Sequence, residues 1–266
     1  MSRRVLITND DGIAAPGIRS LARAAADSGL DVVVAAPAEE ASGASAAMSA
    51  YTDDGRVMIT SHRLAGLDGV AAYGVTASPS YIVVLAMLDS FGAAPDLVLS
   101  GINRGANAGR AVLHSGTVGA AFTAAGYGCP AMAVSLDVLS PMSAASGGNA
   151  LAVLDETDDE ARNWATAADL AKELLPRLDD LPTGAVLNLN VPDRPATEVR
   201  GLRQATLARF GQVQMALAES GEDFVRTAVE ESRDRADDGT DLAWLTDGYA
   251  TVTAIHPVLE VEGLRF

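Results

Sequence analysis

The chain has 266 residues, 48% of them hydrophobic, and a formal net charge of −16. That length is enough for one large core with an appendage. The excess of acids argues against binding nucleic acid or an anionic membrane, because such binding draws its strength from Lys and Arg.

In chain order, Val5–Thr8 reads as a strand that ends in Asn9, Asp10, Asp11 and Gly12. Pro16–Ser28 reads as a helix with Pro near its start and Gly29 just past its end. Asp31–Ala36 is a second strand, and Arg56–Leu64 with Val70–Val75 a further pair. A helix over Ser78–Ser90 precedes the strand Asp96–Ser100, and a small-residue helix over Val118–Gly126 precedes the strand Ala131–Ser135. Strands alternating with helices in this way predict a doubly wound α/β fold with a mostly parallel sheet.

The pattern breaks near 137–160, a small, polar and acidic stretch that reads as a surface insertion. A helix over Ala161–Leu178 and a strand over Ala185–Val191 close a core of residues 1–195. Residues 196–266 read as a C-terminal extended β arm with a final strand, in segments at Arg200–Ala205, Phe224–Glu231 and Ala250–Ile255. Nine acids face three arginines between Glu219 and Asp241, which reads as a solvated face. Cys129, the single cysteine, lies among uncharged neighbours and reads as a small apolar residue. One cysteine permits no internal disulfide, which fits a cytoplasmic protein. The short apolar run before Asn9 is no signal peptide, and no stretch has the length of a membrane span.

In an open α/β sheet ligands bind beyond the carboxyl ends of the strands. The first strand delivers Asp10 and Asp11, the second delivers Ser42, and the strand at Asp96–Ser100 delivers Asn103. Carboxylate, hydroxyl and amide oxygens form a hard donor set suited to Mg²⁺, Mn²⁺ or Ca²⁺. A cation would also hold two adjacent acids together, although an Asp-Asp-Gly run alone equally reads as a capped turn. The glycine-rich loop at 101–109 ends in Ser115, Gly116 and Thr117 at a helix start, where free N–H groups favour phosphate. Asn107 and Ser115 add side-chain donors there, and Arg104 and Arg110 are candidate charges. The P-loop pattern is missing, no clean GxGxxG follows the first strand, and "SGTVG" is not a GxSxG nucleophile elbow.

Several motifs in order along nearly the whole chain resemble the SurE survival-protein nucleotidases. They are "VLITNDDG" at Val5–Gly12, "APGI" at Ala15–Ile18, "SGAS" at Ser42–Ser45, "SGINRGANAG" at Ser100–Gly109 and "SGTVGAA" at Ser115–Ala121. "GCPAMAVS" at Gly128–Ser135, "LNLNVP" at Leu187–Pro192 and "LTDGYATVT" at Leu245–Thr253 complete them. The resemblance implies a metal-dependent nucleotidase that hydrolyses nucleoside 5′- and 3′-monophosphates. It implies metal ligands at Asp10, Asp11, Ser42 and Asn103 for Mg²⁺ or Mn²⁺; in a hydrolysis at that site, Asp10 or Asp11 is the candidate to orient or deprotonate the attacking water. It further implies phosphate contacts at Asn107, Ser115, Gly116 and Thr117, and a Rossmann-like core with a C-terminal extended arm exchanged between subunits in a homodimer or homotetramer. The chain departs from the family pattern at "ASPSYIV", where Tyr81 replaces an acid, and at "AEEA", where Glu39 and Glu40 replace a basic loop. These departures bear on the substrate: a sugar or specialised-metabolite phosphate is one alternative, and metal-dependent ligand binding without catalysis is another.

Overall fold

Val5, Leu6 and Ile7 have no exposed surface, as expected of a strand covered on both faces. The computed structural model describes residues 2–41, 45–140, 159–221, 223–231 and 236–259. Strand β1 (Arg4–Thr8) leads into helix α1 (Pro16–Asp27) and then β2 (Asp31–Pro37). A small pair, β3 (Thr52–Asp53) and β4 (Arg56–Val57), precedes β5 (Ile59–His62) and β6 (Ala71–Val75). Helix α2 (Pro79–Met87) is capped by Ser78, whose Oγ accepts the Tyr81 N–H at 3.4 Å. Strand β7 (Leu97–Arg104), helix α3 (Gly116–Gly126), β8 (Ala131–Asp137), α4 (Trp164–Leu174) and β9 (Val186–Pro192) follow. The C-terminal part holds β10 (Leu202–Gln204), β11 (Val213–Ser220), β12 (Val225–Glu231), α5 (Asp241–Thr246) and β13 (Ala250–Ile255).

The main sheet has nine strands in the order β10-β13-β9-β8-β7-β1-β2-β6-β5. From β6 across to β9 every neighbouring pair is parallel, while β5 and β13 run antiparallel to β6 and β9. The chain builds outward from β1 to β2 and β6, then returns to place β7 on the other side of β1. The strand order therefore reverses between β1 and β7. Connections from these two strands depart to opposite faces and leave a crevice at their carboxyl ends.

Side chains alternate between the two faces. Val5, Ile7, Leu99, Val134 and Leu189 pack with Ile18 and Leu21 of α1 and Trp164 and Ala168 of α4. Leu6, Val98, Ala131 and Ala133 pack on the other face with Ile82 of α2 and Val118 and Ala121 of α3. Alanines at 120, 121, 124 and 125 let α3 lie close to the sheet, so its N-terminus is set firmly above the crevice.

Several elements differ from the sequence expectations. The strand expected to end at Ser100 runs on to Arg104 after a register shift against β8 between Ser100 and Asn103. The helix expected to reach Leu178 ends at Leu174 and tightens into a 3₁₀ turn over Leu175–Asp180, where Pro176 lacks an N–H. In residues 196–266, expected as an extended arm with a final strand, β13 joins the main sheet beside β9 and carries β10 on its outer edge, while among the described residues β11 and β12 form a separate antiparallel pair. Most of the acidic insertion expected at 137–160 lies outside the described residues; Asp137 itself ends β8. Among the described residues no helix is long and apolar enough to cross a membrane.

Candidate metal and phosphate site

The end of β1 is shaped by its own side chains. Asn9 is fully buried; its Oδ1 accepts the Gly12 N–H at 3.2 Å and its Nδ2 donates to the Gly12 carbonyl at 3.1 Å. This closed turn projects Asp10 and Asp11 into the crevice. The Ala41 N–H donates to the Asp10 carbonyl at 2.7 Å, which ties the loop after β2 to the same place.

Asp10 is 4% exposed and faces the start of α3. The Thr117 hydroxyl donates to Asp10 Oδ1 and is also placed 3.2 Å from Asn103 Oδ1. The backbone N–H groups of Gly116 and Thr117 add to the donors around the Asp10 carboxylate. This close approach requires glycine: a Cβ on Gly116 would lie 2.7 Å from Asp10 Oδ2. Asp11 Oδ2 accepts the Arg104 N–H at 3.2 Å. Asp10, Asp11, Asn103, Gly116 and Thr117 are thus brought together by β1, β7 and α3.

The charge balance at this cluster is unfavourable to two bare carboxylates. Burial holds the Asp10 carboxyl above its ordinary value despite the N–H and O–H donors. Burial also pushes Asp11 up, to about 7, with the charge of Asp10 adding to it and the Arg104 N–H opposing. Glu40 and Asp159 raise Asp11 further, so the acidic loop after β2 borders the site. Arg104 turns its guanidinium to Asp159, with Nε 3.1 Å from Oδ1, and Arg162 meets the same oxygen at 2.7 Å. A hard divalent cation fits this donor set of two carboxylates and an amide oxygen, and its charge would offset the repulsion. Among the described residues no three His, Cys, Asp or Glu side chains form a metal cluster. The set therefore depends on neutral oxygens beside the two acids. Ser42, the expected fourth ligand, lies outside the described residues.

The expected phosphate residues divide into two places. Ser115 caps α3, its Oγ accepting the Val118 N–H at 3.0 Å, and Gly116 follows it directly above Asp10. Thr117 uses its hydroxyl on Asp10, so its side chain orders the carboxylate. Asn107 is anchored over β8 and β9, where its Nδ2 donates to Ser135 Oγ at 2.9 Å and its N–H donates to Asn190 Oδ1 at 2.8 Å. Arg110 is exposed. Cys129 is buried with its thiol pushed up to about 11 by that burial, as expected of an unreactive packing residue.

Sequence reasoning missed the supports of the 107–109 loop. Asp241 accepts the Gly109 N–H on Oδ2 at 2.7 Å and the Ala208 N–H on Oδ1 at 2.9 Å. A Cβ on Gly109, whose φ is 62°, would lie 1.8 Å from the Phe210 carbonyl oxygen, so this corner also needs glycine. The overlooked signal was the alternation Leu187-Asn188-Leu189-Asn190 in a strand with no exposed face. Buried amides there require partners.

The sequence profile described as survival protein SurE matches residues 5–215. A 5′-nucleotidase SurE of Alkalilimnicola ehrlichii is 35% identical over 257 residues, covering 95% of this chain and 88% of its relative. A 5′-nucleotidase SurE 1 of Burkholderia lata is 36% identical over 262 residues, with 95% and 90% covered. The crystal structure of a SurE protein from Aquifex aeolicus superposes with a TM-score of 0.68 at 26% identity, covering 97% of this chain and 94% of the other.

Proposed function

Because the chain belongs to the SurE family, we propose that it is a metal-dependent phosphomonoesterase that hydrolyses nucleoside 5′- and 3′-monophosphates. The observation that carries this reading is that Asp10 and Asn103 meet at the Thr117 hydroxyl on the N-terminus of α3, with Asp11 held beside them by the Arg104 N–H, at the point where the strand order reverses. Asp10, Asp11 and Asn103, with Ser42, hold the cation, Mg²⁺ or Mn²⁺. When bound, such an ion polarises a phosphoryl oxygen and lowers the pKa of water.

The chain's own groups supply the rest. Thr117 and the α3 N-terminus keep Asp10 in one orientation. The Arg104 N–H holds Oδ2 of Asp11, leaving Oδ1 to accept the proton of the attacking water. Water oxygen bonds to phosphorus as the ester P–O bond breaks, and the proton passes to the departing alkoxide. Asn107 and Ser115 bind the phosphoryl oxygens as charge develops on them, and the positive end of the α3 dipole, at Gly116 and Thr117, adds to the field there.

The test is phosphate release from a panel of nucleoside monophosphates and sugar phosphates with Mn²⁺, Mg²⁺ or EDTA. Release that EDTA abolishes and added metal restores is the expected result. No release from any ester by folded, metal-loaded protein would overturn the reading in favour of binding alone. Preference for sugar phosphates would follow if Glu40, whose charge reaches Asp11, disfavours nucleotides.

The β11–β12 pair serves as the arm of residues 196–266 and exchanges between subunits of a homodimer or homotetramer, in a cytoplasmic protein. Exposed Leu217 and Val225 on this pair, and Phe224 just before β12, support that use. Light scattering after size exclusion distinguishes dimer from tetramer, and a monomer would refute the exchange.

A further inference from the structure

Every residue of β9 is buried, yet two of them are asparagines. Leu187, Leu189 and Val191 pack with α1 and α4, which turns Asn188 and Asn190 to the opposite face. The amides of both residues go to one place. Asn190 Oδ1 accepts the Asn107 N–H at 2.8 Å, and Asn190 Nδ2 donates to the Asn107 carbonyl at 3.1 Å. Asn188 Nδ2 donates to that same carbonyl at 2.7 Å. One side-chain amide therefore grips both polar groups of the Asn107 backbone, as a neighbouring strand would.

Ser135 lies beside Asn190 in the β8–β9 register and accepts from Asn107 Nδ2 at 2.9 Å. One amide hydrogen of Asn107 is spent on that bond, and the second N–H is left in a fixed direction. Apolar residues would fill a buried strand at less cost, because amides must find partners there. Asn188 Oδ1 has no partner among the described residues. A strand selected for stability alone would not keep that atom; a strand that fixes a loop would.

We propose that Asn190 is a positioning residue for phosphate: with Asn188 and Ser135 it locks the backbone and side chain of Asn107 so that the free amide N–H meets a phosphoryl oxygen. This rests on the reading of Asn107 as a phosphate contact. Asn190 acts through Asn107 and touches neither substrate nor metal.

The test uses Asn190→Asp in the full-length, Mn²⁺-loaded protein. The substitution keeps the acceptor for the Asn107 N–H and replaces the donor to its carbonyl with a second acceptor. Inorganic phosphate is the probe, its affinity measured by calorimetry and by competitive inhibition of ester hydrolysis. Phosphate affinity is expected to fall about tenfold or more, since a misplacement near 1 Å costs up to about a hundredfold. The Mn²⁺ concentration for half-saturation is expected to stay as in the wild type. Ser135→Ala, which leaves both asparagines in place, provides a milder variant with the same readouts and is expected to weaken phosphate binding as well. A folded Asn190→Asp protein with a lower Tm and unchanged phosphate affinity would show a structural strut only and overturn the proposal. Equal losses of Mn²⁺ and phosphate affinity would overturn it too. A wild type that neither binds phosphate nor releases it would instead sink the phosphatase reading, which keeps the two failures apart.

Discussion

Gly116→Ala isolates the contact between α3 and Asp10 without removing a polar group. In a helix the change from Gly to Ala favours folding by roughly 0.5–1 kcal/mol. Here the new Cβ would stand 2.7 Å from Asp10 Oδ2 and 3.1 Å from Asp10 Cβ. Restoring an ordinary contact of 3.4 Å moves the carboxylate by about 0.7 Å. Overpacking of this kind costs roughly 1–3 kcal/mol. The net loss is at most about 2.5 kcal/mol, so Tm should fall by no more than about 10 °C. Function should suffer more, because Asp10 would leave the Thr117 hydroxyl and the cation site together. The expected result is about a ten- to hundredfold lower kcat/KM, with more Mn²⁺ needed for half-saturation. Gly126→Ala is the control: it lies in the same helix, and a Cβ there meets nothing within 4 Å. Metal titrations of phosphate release, with thermal melts of both variants, make the comparison. If Gly116→Ala keeps wild-type activity and metal response, Asp10 does not need its close seat on α3 and the site geometry argued above is wrong.

Two further substitutions test the acids. Asp11→Asn removes a charge from a repelling pair while keeping the acceptor for the Arg104 N–H. Turnover should vanish while the melt is retained; an active, folded variant would remove Asp11 from the mechanism. Asp137 is fully buried, its Oδ1 accepts from Gln212, Leu139 and Ser140, and its Oδ2 has no partner among the described residues. Burial raises its pKa in the folded state above the ordinary 3.8. The protonated form is thus the one that favours folding: that stabilisation is complete below the unfolded pKa and is lost as pH rises through the folded one. Asp137→Asn should therefore melt higher than the wild type at about pH 8, with the gap narrowing as the pH falls. A gap that does not change with pH would refute an ionised Asp137 opposing the fold.

The class of fold was open to reading from the chain alone. A strand buried on both faces must be apolar throughout, so "VLIT" and "DLVLS" announce themselves locally, and Pro16 and Gly29 bracket α1 by their backbone requirements. Asp10 and Asp11 stand out for the same reason, as charges directly after such a strand. Other assignments depended on which strands become neighbours. β10 has only three residues, and β13 alternates threonine with apolar residues, so their place in the main sheet comes from pairing with β9 and with each other. Thr117 looked like a phosphate ligand at a helix start, and only the closeness of α3 to β1 turned its hydroxyl to Asp10. Asn107 meets Asn188 and Asn190 across more than eighty residues. Periodicity and capping act over a few residues and can be read in order along the chain. The partners of a buried polar group are set by packing between distant segments, and for Asp10, Asn107 and Asp241 those partners were decided only by the tertiary structure.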